Sequence, residues 1–145
     1  MTQVDFYTHV ADRLAVLTSL SAKALQQGRK VFIYTGDAQL SDLVDRTLWQ
    51  TPPLGFLPHC LADAPLADRT PVLINHDPAR FVHDEILINL HREIPPYFSR
   101  YQRLIEIITL EEDDATAGRE RFKFYKDRGY PMQAHNVQQL KARKG

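Results

Sequence analysis

The chain has one cysteine, Cys60, in 145 residues. A lone thiol can build neither an internal disulfide nor a cysteine-rich zinc site, so a reducing, cytoplasmic setting is expected. Glycine is scarce as well, and its six copies include no spaced glycine triplet and no Gly-Lys-Ser/Thr of a phosphate-binding loop. No apolar run approaches the roughly 20 residues a membrane-spanning helix needs, and the first residues lack a basic stretch followed by an apolar one. Neither export nor membrane insertion is expected. Net charge is missing too, because 18 Lys/Arg balance 18 Asp/Glu, which argues against a nucleic-acid coat over the whole surface.

That balance hides a division along the chain. Residues 1–114 hold 10 Lys/Arg against 16 Asp/Glu, whereas residues 115–145 hold 8 against 2. A six-charge excess of opposite sign at each end suggests that the C-terminal part faces an anionic partner. The length suits one domain, large enough to bury about two-thirds of its unfolded surface without a covalent or metal staple. An apolar content of 43% with 25% charged residues is that of a globular protein.

The pattern alternates between strands and helices. Val4-Asp5-Phe6-Tyr7 reads as a strand, and Asp12 to Gln27 as a helix, with Leu14, Leu17, Leu20 and Leu25 near helical spacing and Gly28 at its end. Lys30 to Tyr34 is a β-branched and aromatic strand, Leu40 to Gln50 a second helix, and Thr51-Pro52-Pro53-Leu54-Gly55 its forced stop. Pro71 to Asn75, Glu85 to Leu90 and Arg103 to Ile108 are further apolar strands, with a surface loop over 60–70 and a helical turn over Tyr97 to Tyr101. Ala115 to Arg128 closes as a helix stopped by Gly129. Near-continuous apolar strands alternating with helices predict a single three-layer Rossmann-like α/β domain with a mostly parallel central sheet. It is expected over residues 1–130, followed by a loosely attached tail over 131–145.

A Rossmann-like pattern invites a nucleotide, and the turns argue against one. Thr8-His9-Val10-Ala11 has no glycine, and Thr35-Gly36-Asp37-Ala38 has one where the fingerprint needs three. Candidates for catalysis or metal binding are also weak. His76-Asp77 and His83-Asp84 are sequence neighbours, whose side chains diverge, and His59-Cys60 is adjacent rather than brought together by a fold. Glu111-Glu112-Asp113-Asp114 is more simply a solvated segment favoured at a helix start. No cofactor, no metal and no catalytic residue are expected.

Two segments are left over by the packing account. In Ala117 to Tyr130, Arg119, Phe122 or Lys123, and Lys126 share a helix face, while Ala117, Phe124, Tyr125 and the stem of Arg128 can pack inward. Cations around a ring suit a peptide that brings acidic residues, a terminal carboxylate and an apolar side chain. The plainer alternative is a solvated amphipathic helix. In Leu48 to His59, Trp49 and Phe56 flank a proline-rich loop, as aromatic interface anchors do, although Trp49 could equally plug the sheet edge.

Phe6-Tyr7, Leu48-Trp49, Phe56-Leu57-Pro58-His59, Pro71 to Ile74, Leu87 to Leu90, and Arg119-Glu120-Arg121-Phe122-Lys123-Phe124-Tyr125 with Gly129-Tyr130 follow one another in a telling order. In this order the chain resembles the chi subunit family of bacterial DNA polymerase III, from about residue 4 to residue 130. The resemblance implies a non-catalytic adaptor with a nucleotide-binding type of fold and no nucleotide site. It implies a psi-facing surface at Trp49 and Phe56, shared with a DNA-repair helicase. It also implies a second site, at Arg119, Phe122 and Lys123 and more loosely Ile108 and Lys126, for the acidic, phenylalanine-ended C-terminal tail of single-stranded DNA-binding protein. DNA would be approached only through that protein, and no membrane is involved. Phe122 stands where the family commonly has a hydroxylated aromatic, so that hydroxyl's hydrogen bond is absent. The same cationic and aromatic residues would also serve a direct binder of single-stranded nucleic acid. A nucleotide-dependent enzyme is the remaining alternative, and it would place its ligand at the carboxyl ends of the strands.

Overall fold

The computed structural model describes residues 1–50, 71–77 and 83–139, together with the backbone of 59–61. Among the described residues seven strands form one sheet: β1 (Gln3–Val10), β2 (Val31–Tyr34), β3 (His59–Leu61), β4 (Val72–Asn75), β5 (Ile86–Asn89), β6 (Arg103–Thr109) and β7 (Met132–Asn136). Their order across the sheet is β3-β4-β2-β5-β6-β1-β7, and every pairing is parallel. Helix α1 spans Arg13–Gln26, α2 spans Ala38–Gln50 and α3 spans Glu112–Asp127. The α/β Rossmann-like architecture read from the sequence is thus the one observed.

The strand period of two decides which helix covers which face. Val31 and Ile33 of β2 join Ile86, Ile88, Ile105 and Ile107 in a core that includes Leu17 and Ala24 of α1 and Val44 and Leu48 of α2. The alternate residues Phe32, Tyr34, Leu87 and Leu104 join Phe6 and Tyr125 on the face that α3 covers. Both faces are buried, so the strands read as continuous apolar runs rather than alternating ones. Local signals agree with the ends of the elements. The Asp12 side chain accepts from the amides of Leu14 and Ala15, and Gly28 ends α1 in the left-handed region at φ 72°.

Two sequence expectations need correction. The segment over 60–70, read as a loop, contributes Cys60 and Leu61 to β3, whose three residues are too few to show a period and are held by their parallel pairing with β4. The tail, read as loosely attached, contributes Met132–Asn136 as β7 against β1. Met-Gln-Ala-His-Asn carries almost no strand propensity. It is fixed instead by five backbone register positions, by Met132 against the α3-side core and by the ring of His135 stacked on Tyr7 at 4.7 Å. His135 also lies 3.7 Å from buried Asp5, which is ion-paired with Arg103.

Truncation after Tyr130 is therefore expected to lower stability by about 2–4 kcal/mol, from lost ladder bonds at ~1 kcal/mol each and lost apolar burial. Chemical denaturation measures this; an unchanged midpoint would mean that the segment contributes nothing to the sheet.

Candidate functional site

Helix α3 is held to the sheet by a charge. Glu106 stands among aliphatic residues in the middle of β6 and is fully buried on the α3 face. Its carboxylate accepts from Tyr125 Oη at 2.8 Å and from Asn89 Nδ2 at 3.0 Å, and Arg121 Nε stands 3.2 Å away. Arg121 is itself buried and donates through Nη1 to the carbonyl of Arg92 at 2.6 Å. Burial pushes the Glu106 pKa up from 4.5 to about 7, against the opposing pull of Arg121 and the hydrogen bonds. The same burial raises the Tyr125 hydroxyl. Four side chains thus fix both the height and the rotation of α3.

That rotation sets what α3 shows to solvent. With Ala117, Gly118, Arg121 and Tyr125 turned inward, Arg119, Lys123 and Lys126 are exposed. Gly118 permits a close approach: a β-carbon there would stand 2.6 Å from Ile108 Cδ1. Between α3 and the ends of β1 and β6 lies a cavity of about 260 Å³, whose lining includes Phe6, Ile108, Leu110, Gly118, Arg119 and Phe122. The ring of Phe122 meets Phe6 edge-on at 5.2 Å. Leu110 is 54% exposed at the rim. Among the described residues Arg119 donates only to Thr116 Oγ1, at 3.3 Å, and no carboxylate pairs with Arg119, Lys123 or Lys126.

The structure thus brings Ile108, Arg119 and Phe122 into one cavity, while Lys123 and Lys126 stand on α3 outside it. Arg128 is used differently, with its guanidinium 3.5 Å from the Phe124 ring centroid. Trp49, at the end of α2, is 56% exposed and belongs to a different surface; Phe56 lies outside the described residues. Sequence reasoning missed Glu106 and the burial of Arg121. The available signal was a single carboxylate inside Leu104-Ile105-Glu106-Ile107-Ile108, which a buried strand tolerates only when it is paired. It also missed Thr8 and His9, which line the same cavity.

The usual ligand crevice of an open α/β sheet lies where neighbouring strands send their chains to opposite faces. Here that point is between β1, which leads to α1, and β6, which leads to α3. The cleft at this point is lined by Asp12, Glu111, Asp113 and Asp114 along with Arg13 and Arg92. Asp12 already caps α1, and Asp114 already accepts from the Thr109 amide at 2.7 Å and its hydroxyl at 2.8 Å. The start of α1 is thus satisfied by a carboxylate of the chain itself, and the first turn of α3 carries Glu112, Asp113 and Asp114, so both helix starts repel a phosphate.

The fold and site together define a Rossmann-like α/β protein with an acidic switch-point crevice and a cation-rimmed apolar cavity on the flank of its last helix. The family of DNA polymerase III chi subunit, HolC, matches residues 1–133, and the chain belongs to that family, an accessory subunit of the replicase. It is 34% identical to the DNA polymerase III subunit chi of Pseudomonas aeruginosa, over 97% of this chain and 100% of that relative. The Haemophilus influenzae subunit chi is 28% identical over 84% of this chain and 85% of its own, and that of Escherichia coli 25% over 81% and 80%. Among the described residues no helix is long and apolar enough to cross a membrane.

Removing Arg121 leaves a buried carboxylate without its countercharge, so Arg121→Met is expected to cost about 3–5 kcal/mol in urea denaturation. The pH dependence has a definite sign. The folded chain holds the Glu106 proton where the unfolded chain has released it, so this stabilising contribution is full below about pH 4.5 and is lost as pH rises through about 7. Glu106→Gln should remove that slope, at a lower overall stability.

Proposed function

We propose that this chain is a non-catalytic adaptor of the DNA polymerase III holoenzyme in the cytoplasm. In this reading the α3 cavity captures the acidic, phenylalanine-ended tail of single-stranded DNA-binding protein, and Trp49, on a separate surface, contacts the psi subunit, as the resemblance also implies for Phe56. The observation that carries it is the cavity itself: an apolar, ring-lined floor beneath an exposed arginine that has no carboxylate partner among the described residues. A terminal aromatic side chain fits the floor and its carboxylate meets the guanidinium, which offers bidentate geometry. Lys123 and Lys126 extend the positive stripe along α3 by one and two turns and would attract the acidic residues upstream. The acidic strand-end cleft supports an absence of nucleotide chemistry.

Function then follows from tethering. DNA coated by its binding protein displays many flexible tails, and capture of one through chi and psi raises the effective concentration of the clamp loader near the template. A weak contact suffices, and charge speeds the encounter at low salt.

Titration calorimetry with an acidic peptide ending in Phe tests the site. Arg119→Ala is expected to weaken binding by about 1–3 kcal/mol, the range of charge-assisted hydrogen bonds. Lys123→Ala, outside the cavity, should cost less and lose its effect in high salt. Unchanged affinity in both variants would refute the site, and tight binding to a bare oligonucleotide without the peptide would favour the direct nucleic-acid reading. Trp49→Ala should impair psi association in co-purification while peptide binding stays intact.

A further inference from the structure

The register of β1 against β6 slips by one residue within the cavity wall. Tyr7 pairs with Ile107 and Val10 with Thr109, so three steps on β1 match two on β6. This is a bulge centred on Thr8 and His9, and bulges re-aim side chains beside functional sites. At the same place His9 adopts φ 61°, in the left-handed region that an L-residue occupies at an energetic cost. Glycine or asparagine would make the same turn with less cost and no ionisable ring, and conformations of this kind persist where surrounding structure imposes them. Thr8 Oγ1 lies 2.9 Å from His9 Nδ1 and fixes the ring. His9 is exposed and stands at the rim shared by two cavities, lining the α3 cavity together with Arg119 and the cavity on the α1 side together with Asp12.

We propose that His9 is a second recognition residue of this cavity, supplying from β1 a donor, and a positive charge when protonated, to the free carboxylate of a peptide whose apolar end sits on Phe6, Ile108 and Phe122. The assignment rests on the tail-binding reading above and deepens it, since Arg119 alone would accept any carboxylate, whereas two donors on two elements select one placed at a chain end. Charge complementarity supports the choice of ligand. Among the described residues no Asp or Glu lines this cavity, whereas four line the strand-end cleft next to it.

Imidazole is the side chain whose charge ordinarily changes between about pH 5 and 8. Binding to an anion favours its protonated form, so affinity should rise as pH falls through that interval. Other ionisable groups on the surrounding elements are Arg119 on α3, Asp12 at the start of α1, Asp114 bonded to Thr109, His135 on β7 with Asp5, and Glu106 beneath α3. Of these only Arg119 lines the cavity.

The test is anisotropy titration of a labelled acidic peptide ending in Phe, at about pH 8 and about pH 5.5, with the full chain and with His9→Asn, which keeps a residue tolerant of positive φ. The wild type should bind roughly 3–10-fold more tightly at the lower pH, a fraction of a full charge-assisted bond. His9→Asn should bind more weakly and lose the step, and an amidated peptide should show no step with the wild type. In NMR titrations of the wild type, the peptide should raise the midpoint of the His9 imidazole, a readout independent of any variant's folding. A His9→Asn protein that keeps both affinity and pH step, or an imidazole midpoint that does not move, overturns the assignment while leaving Arg119 and the tail reading standing. Failure of the wild type to bind at either pH overturns both.

Discussion

The buried contact between Glu106 and Arg121 is the constraint on which the rest of the molecule depends. A carboxylate in the middle of a parallel sheet is costly unless donors surround it, and two elements supply them: β5 through Asn89, and α3 through Arg121 and Tyr125. Apolar packing alone would let a helix roll on a flat aliphatic surface with little change in energy. A directional ion pair does not permit this. With Arg121 pinned inward, Arg119 two positions earlier must point outward and Phe122 must lean over Phe6. The cavity is therefore a consequence of how α3 is locked, and Gly118 sets its depth by letting the helix come down against Ile108.

The same helix separates the charges of the chain. Its first turn carries Glu112, Asp113 and Asp114, where the helix dipole favours them, and its later turns carry the exposed cations. Two neighbouring concavities thus differ in sign: the strand-end cleft is acidic and the flank cavity is cationic. A Rossmann-like fold normally places its ligand in the first of these. In this member of the chi family Asp12 caps the start of α1 and three carboxylates occupy the first turn of α3, so the strand-end cleft is unsuited to an anion. Zero net charge for the whole chain is compatible with strong local attraction because opposite charges occupy different surfaces.

The fold class was legible because Val31 to Tyr34, Leu87 to Leu90 and Leu104 to Ile108 carry apolar residues on both faces, with Asn89 and Glu106 as the interruptions, and a covered parallel sheet accommodates such runs. The helices were legible from the spacing of Leu14, Leu17 and Leu20 and from the stops at Gly28 and Gly129. Strand β7 was not, since Met132 to Asn136 has neither β-branched residues nor alternation; its stability comes from a partner more than 120 positions away in sequence. Arg119 and Phe122 were legible as neighbours on one helix face, because helical spacing is a local property.

What the sequence by itself determined was therefore periodicity: layers, helix faces and the positive excess near the C-terminus. Only the tertiary structure decided which cation stays exposed, because Arg119 and Arg121 differ in sequence context by two positions and in environment by the presence of Glu106. It also decided that His9, in a turn with no glycine, stands in the wall of the same cavity as Arg119. Burial and long-range pairing depend on which strands become neighbours, and no local spacing encodes that.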